Sequence, residues 1–504
     1  MALPIAYEAR LAECGSKHMA LYQALRDAIA GGLLPPGEKL PSTRALAAMY
    51  GLSRGSVNLA YEMLAAEGYV RTGVGQGTFA AGAAGTAARI PGGTAAAQPD
   101  LSAWGRRLME IGGSDESDET DESDEGYVPA TSLPGAEMEE APLSFVPRNI
   151  GERWFPWAEW RSAVASVWPG SKGNREPPSA PAAGSLELRR AIAGRLRRER
   201  GILCDAGHVV LTGGSMQAIA LLSQLLLEKG RTAVAEDPGY TGIRMAAQAA
   251  GAAVAAGAVD DGGIVPRDWD ADVLFVTPTR QYPTGAVLAY ERRLALLEWA
   301  SRRGAWIVED DYDSDFRWGG RPIEPLKSLD REDRVVYVGT FSRSLRTDIR
   351  IGFAVVPSAL RDAFVAAKRL YEPHPTGLTE QRALAVWMAQ GGYDRHMRRM
   401  RRIYGRLQGT LRRLMEEKLG EWFRVVPSDA GLHLYAVWRK NEVEYERLRQ
   451  ACRSFGVEWK DAGLYRLDPR SSPPSGIFGF AHLDEEQIGE GVARIRRAAD
   501  SLGL

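Results

Sequence analysis

From about residue 141 to the end of this 504-residue chain, short apolar runs alternate with segments of helix length. No other feature narrows the fold as far. Val209–Thr212, Ala233–Ala235, Val273–Thr277, Trp306–Val308, Val335–Val338 and Gly352–Val356 read as buried strands. Met216–Glu228 and Arg292–Arg303 read as helices between them. Strands that alternate with helices predict an α/β domain, a mostly parallel sheet covered on both faces. Ligands of such sheets bind at the carboxyl ends of the strands.

A second pattern occupies residues 1–80. Met19–Ala30 carries Leu21, Leu25, Ala28 and Ile29 on one helical face. Ser42 is placed to cap a short helix running to about Met49, and Ser53 a second one from Arg54 to about Glu67. Gly51 supplies the turn between them, and Val57, Ala60, Tyr61 and Leu64 mark the second helix's buried face. Two short helices joined by a glycine-containing turn form a helix-turn-helix. Tyr69–Arg71 and Thr78–Ala80 then read as two strands around a glycine-rich tip, a wing. Gly73, Gly75 and Gly77 are not a nucleotide fingerprint, because a strand follows them rather than a helix.

Between these zones, residues 81–140 are rich in Ala, Gly, Thr and Pro and then acidic, which predicts a flexible linker. Ser114–Glu125 holds eight acidic residues. Without them the formal charge of −1 becomes −1 + 8 = +7, so near-neutrality does not exclude a nucleic-acid partner. The block reads as a self-repelling spacer, with a partner site or a DNA mimic as the alternatives. Three dispersed cysteines suit a reducing cytoplasm, and neither they nor the six histidines show metal-ligand spacing. No apolar run is long enough for a transmembrane helix, and Met1–Arg10 lacks the core of a signal peptide.

The segment from Leu21 to Ala81 resembles the winged helix of the GntR superfamily. The resemblance implies a double-stranded DNA operator. Ser53, Arg54 and Ser56 would open the recognition helix in the major groove. Arg44 and the wing, Arg71 with Gly75, Gln76 and Gly77, would meet the backbone or the minor groove.

The motifs TGGSMQA, EDPGY, TPTRQYPTG, EDDYDSDFRW, GTFSRSLRTDIRIGF and GYDRHMRRMRRIY follow in order. Together they resemble the fold-type I, pyridoxal-phosphate-dependent aminotransferases, and among them the MocR-type regulators, which join a GntR winged helix to such a domain. The resemblance implies domains at 1–80 and 141–504, the latter with a smaller C-terminal subdomain, and a head-to-tail homodimer. It implies a cofactor site in which Asp310 meets the pyridine nitrogen and Tyr312 the ring hydroxyl, with Tyr240 among the cofactor-binding residues. Gly214, Ser215, Met216, Thr340, Ser342 and Arg350 would form the phosphate cup.

The family's S-K-[ST]-L pattern reads Ser342–Arg343–Ser344–Leu345 here. A guanidinium stays protonated at any working pH and supplies no free amine for the Schiff base. Three further positions depart from the family: Thr347 for a proline, Arg280 for a histidine, and Ile477 for a carboxylate-binding arginine. These residues leave two readings of the large domain open. It binds pyridoxal phosphate or another small-molecule effector non-covalently, or it is a ligand-free dimerisation scaffold. An active aminotransferase, the third reading, needs the missing amine. The sequence therefore predicts a transcription regulator rather than an enzyme, with no metal.

Overall fold

The computed structural model describes residues 3, 5–73, 77–81, 102–113, 142–147, 154–168, 181–318, 323–468 and 472–504. The chain forms two compact units, Met1–Asp100 and Leu101–Leu504.

The first unit holds α1 (Tyr7–Cys14), α2 (Lys17–Ala30), α3 (Thr43–Tyr50), α4 (Arg54–Ala66), β1 (Val70–Gly73) and β2 (Gly77–Ala80). Both predicted caps form. The Ser42 hydroxyl accepts from the Ala45 amide, and the Ser53 hydroxyl from the Ser56 amide at 3.1 Å. Gly51 ends α3 with φ +60°, a left-handed turn that favours glycine. The buried face of α4, Val57, Ala60, Tyr61 and Leu64, packs with Leu21 and Leu25 of α2 and Leu46 of α3. The Tyr61 hydroxyl donates to the Pro41 carbonyl at 2.6 Å, tying α4 to the start of the motif. β1 and β2 pair antiparallel, Val70 opposite Ala80. Helix α1, which has no expectation in the sequence, adds Tyr7 to the same core.

The second unit opens on α5 (Ala103–Gly113), β3 (Leu143–Ser144), α6 (Trp157–Val167) and α7 (Leu186–Arg200). The main sheet and its helices follow: β4 (Val209–Thr212), α8 (Ser215–Leu226), β5 (Thr232–Asp237), α9 (Thr241–Ala250), β6 (Ala253–Asp260), β7 (Gly263–Ile264), β8 (Val273–Val276), α10 (Tyr290–Arg303), β9 (Trp306–Asp311), α11 (Leu326–Leu329), β10 (Val335–Thr340) and β11 (Gly352–Val355). Next come α12 (Ser358–Tyr371), α13 (Leu378–Ala389), α14 (Gly392–Leu419), β12 (Phe423–Val425), β13 (His433–Trp438), α15 (Glu442–Ser454), β14 (Val457–Glu458), β15 (Lys460–Asp461), β16 (Ser475–Gly479) and α16 (Glu485–Ser501).

The eight-stranded sheet has the order β4-β11-β10-β9-β8-β5-β6-β7. Its centre, β10 through β6, is parallel, whereas β11 runs antiparallel to both β10 and β4. Successive residues of a strand face opposite sides. Accordingly Val308 packs with Ile219, Ile243 and Phe364 of α8, α9 and α12, while Ile307 packs with Leu296 and Trp299 of α10. Both faces are covered, as the near-continuous apolar strands require. A second sheet, β12-β13-β16-β15, forms the smaller C-terminal part.

The stretch read as linker holds one ordered element. Helix α5 lies within 81–140, and the Arg107 side chain donates to the Ala249 carbonyl of α9 at 3.1 Å. The acidic block 114–125 lies outside the described residues. No helix among the described residues is long and apolar enough to cross a membrane.

Candidate functional site

In the first unit, Arg54 is the first residue of α4, exposed beside the Ser53 cap. Ser56 lies two residues on, and its hydroxyl is 2.9 Å from that of Ser53. Arg44 is exposed on α3, and Arg71 on β1. Among the described residues none of these three arginines has a carboxylate partner. A helix N-terminus carries partial positive charge, and an unpaired arginine there adds a full one. This surface suits a polyanion. Gly77 opens β2, whereas Gly75 and Gln76 lie outside the described residues.

In the second unit the residues singled out by sequence gather at the carboxyl ends of β4, β9 and β10. The run EDDYD shows how three adjacent acids acquire different roles. Glu309 accepts from the amides of Leu326 and Lys327, at 2.9 and 2.8 Å, and so caps α11. Asp311 accepts from the Tyr337 hydroxyl at 2.5 Å and faces Arg200 at 3.8 Å. Asp310, between them, points to the other face of the sheet. It is 5% exposed, and its Oδ1 has no hydrogen-bond partner among the described residues. Burial, reinforced by Asp311, Glu236 and Asp313 and opposed by Arg343, pushes its carboxyl up to about 7.

The remaining predicted residues end or follow β4, β5, β9 and β10, or precede β11. Gly214 caps α8 with φ +118°, leaving Ser215 and Met216 to open the helix. A Cβ on Gly214 would lie 3.3 Å from Arg350 Nη2, and one on Gly352 2.6 Å from the Gly214 carbonyl carbon. The two glycines thus let β11 and the head of α8 approach closely. Arg350 itself holds φ +49°, a left-handed conformation unusual for a side chain of its size. The Thr340 and Ser342 hydroxyls are 3.1 Å apart. Tyr312 and Tyr240 each meet Tyr282 edge-on, at 5.5 and 5.9 Å.

Arg343 lines the adjoining cavity with Tyr312, Asp313, Thr340 and Ser344. Its charge acts on Asp310, Asp313 and His433.

The structure gives contacts to two of the positions that depart from the family, Arg280 and Ile477, and adds Gly431, Tyr282, Tyr435 and Tyr465, which the sequence reading did not select. Arg280 is 2% exposed and donates to the Tyr312 hydroxyl at 2.9 Å, to Asp313 at 3.0 Å and to the His433 carbonyl at 2.9 Å. Gly431 lies flat against this guanidinium, so a Cβ there would overlap Arg280. Tyr282, Tyr435, Tyr465 and Ile477 form an apolar cluster with Tyr240 and Tyr312 at its edge. Ile477 is fully buried there, so this position offers a substrate carboxylate no cation.

The residues fit a phosphorylated pyridine. A buried carboxylate with an unsatisfied oxygen is costly unless a donor or a cation meets it, and a protonated ring nitrogen supplies both. Helix amides, hydroxyls and Arg350 suit a phosphate. Among the described residues no group of His, Cys, Asp or Glu is arranged to hold a metal.

These buried acids predict a pH effect. Burial pushes Glu236, Glu309 and Asp310 up to about 7, and Asp313 up to about 6. The folded chain then keeps protons that the unfolded chain releases near pH 4, so stability falls as pH rises from about 5 to 7. His433, driven well below its ordinary range by burial and Arg280, and His396, lowered by burial, oppose this with one proton each, against four from the acids. Thermal melts of the ligand-free protein will show a lower midpoint at pH 7.5 than at pH 5.5. The Asp310→Asn variant will show a shallower decline, and an identical decline would remove Asp310 from the account.

Residues 170–495 match the family model of aminotransferase class I and II, and residues 18–80 that of bacterial regulatory proteins of the gntR family. The probable rhizopine catabolism regulatory protein MocR of Rhizobium meliloti is 33% identical over 95% of this chain and 93% of its own length. The pyridoxine biosynthesis transcriptional regulator PdxR of Corynebacterium glutamicum is 33% identical over 96% of each. The regulator TauR of Rhodobacter capsulatus is 30% identical, again over 96% of each. Among solved structures, a Pyrococcus horikoshii kynurenine aminotransferase covers 72% of this chain and 92% of its own, with TM-score 0.66 and 22% identity, a likeness of fold. The chain belongs to the aminotransferase class I and II family, in the branch that carries a gntR-family region ahead of that domain, and is a DNA-binding transcriptional regulator of the MocR type.

Proposed function

We propose that the large unit holds pyridoxal phosphate, or a ligand sharing its phosphate and ring, without a covalent bond. In this reading Arg343 stands where the family's lysine would be, and the domain senses rather than catalyses. Pyridoxal phosphate supplies a dianionic phosphate, a pyridine nitrogen and an aldehyde when bound. Gly214, Ser215, Met216, Thr340, Ser342 and Arg350 would hold the phosphate. Asp310 would keep a proton on the nitrogen, with Tyr312 and Tyr240 beside the ring.

The observation that carries this reading is the buried Asp310 oxygen without a partner. A relative named for control of pyridoxine biosynthesis supports a ligand of this chemistry. The scaffold reading has one observation in its favour: the Arg280 fork already engages Tyr312 and Asp313.

The protein works, in this reading, as a head-to-tail homodimer on a double-stranded operator with two half-sites. Ser53, Arg54 and Ser56 would read the major groove. Arg44, Arg71 and the wing residues Gly75, Gln76 and Gly77 would meet the backbone or the minor groove. The DNA target places its work in the cytoplasm. Ligand binding shifts DNA binding to the extent that it favours one arrangement over another. Titration of the wild type with pyridoxal phosphate, followed by borohydride reduction and intact mass, tests the ligand. Saturable binding with an unmodified mass is the expected result.

A further inference from the structure

Helix α14 carries a stripe of arginines whose middle members neither the fold nor the ligand site uses. Its buried face, including Met397, Met400, Ile403, Tyr404 and Leu407, packs into the core. Arg395, Arg398, Arg399, Arg402 and Arg406 are all exposed. Residues three and four apart on a helix share a face, so these five line one side of about three turns. The two ends are paired: Arg395 with Glu159 at 3.5 Å, and Arg406 with Glu485 at 2.7 Å. Between them Arg398, Arg399 and Arg402 have no carboxylate partner among the described residues. Arg399, Arg402 and Arg406 line a groove with Ile403 and Trp154.

We propose that the occupant of this stripe is the chain's own acidic block, 114–125. The block is four consecutive triplets of Ser or Thr, Asp and Glu, eight carboxylates in all. Its charge is opposite to that of the stripe, and the remainder of the chain sums to −1 + 8 = +7. The block is tethered at both ends, and Gly113 of α5 directly precedes it. From Glu125 the chain runs 142 − 125 = 17 residues to the described segment at 142, then on to Trp154 in the groove itself. A stretch of that length spans up to about 55 Å when extended. Tethering at such range gives a local concentration on the order of millimolar, far above that of a free partner.

The consequence is selectivity. Open arginine stripes bind any DNA through its phosphates, whatever the sequence. An internal polyanion seated on α14 removes that contribution and leaves recognition to the winged helix.

The test uses the full-length protein and a random-sequence duplex, with affinity read by fluorescence anisotropy across a salt series. One variant carries the eight carboxylates of 114–125 as amides. A second carries Arg398→Gln, Arg399→Gln and Arg402→Gln, and a third combines both sets. Matched melting midpoints confirm folding. The amide variant is expected to bind random duplex at least tenfold more tightly at about 50 mM salt. Its log–log salt slope should steepen by about 2.7, the value for three neutralised phosphates. Both changes should vanish in the combined variant, and the arginine variant alone should match the wild type. No gain in the amide variant overturns the proposal. So does a gain that persists in the combined variant, which would place the block on another basic surface. So does an arginine variant that already binds random duplex more weakly than wild type, since the stripe would then be open to DNA.

Discussion

The Arg54→Ala variant is expected to lose specific operator binding and to keep its fold. Arg54 begins α4 without a partner among the described residues, and the cap that starts the helix belongs to Ser53. The substitution therefore removes a charge without removing a structural hydrogen bond, and alanine has the higher helix propensity. A base or phosphate contact from such a position is worth about 1–3 kcal/mol. That is roughly fivefold to 150-fold at one half-site, and the product of two such factors in a dimer on two half-sites. A gel-shift titration on the gene's own upstream region measures it. Unchanged affinity would show that α4 is not the recognition helix.

The Arg280→Ala variant is expected to be the most destabilising single change at the ligand site. Arg280 is 2% exposed, and its guanidinium serves Asp313, Tyr312 and the His433 carbonyl together. Removing one member of a buried ion pair leaves an uncompensated charge and costs about 3–5 kcal/mol. Burial already pushes Asp313 up to about 6 with Arg280 in place, so its loss forces a proton onto that carboxyl at neutral pH. Urea unfolding of the variant beside the wild type at pH 7.5 reads the loss. A change under about 1 kcal/mol would mean that water replaces the guanidinium and that the cluster is not dry.

The legibility of these features in the sequence followed from how local their causes are. Helices α3 and α4 were readable because Ser42, Ser53 and Gly51 act within a few residues of themselves. The strands were readable as apolar runs, but an apolar run carries no direction. The antiparallel course of β11 is set by its neighbours β10 and β4. Helix α5 was hidden by the Ala-, Gly- and Pro-rich composition around it; what holds it is α9, far along the chain. Asp310 was legible from its motif, yet its isolation from its acidic neighbours shows only when α11 and Tyr337 occupy Glu309 and Asp311. Arg280 looked like a missing histidine. Its fork onto Asp313 and its bed on Gly431 join segments that no sequence period connects.

The central claim is that a ligand site persists in the large unit without an amine to bond the ligand. The direct measurement is a pyridoxal phosphate titration of the wild type and of Arg343→Lys, read by visible absorbance and by intact mass after borohydride reduction. The account predicts saturable binding with unchanged mass in the wild type, and a cofactor adduct in Arg343→Lys. No binding in either protein would contradict it and make the large unit a scaffold. An adduct in the wild type would contradict it differently, pointing to another amine; Lys460, buried on β15 opposite Ile477, is the first to replace.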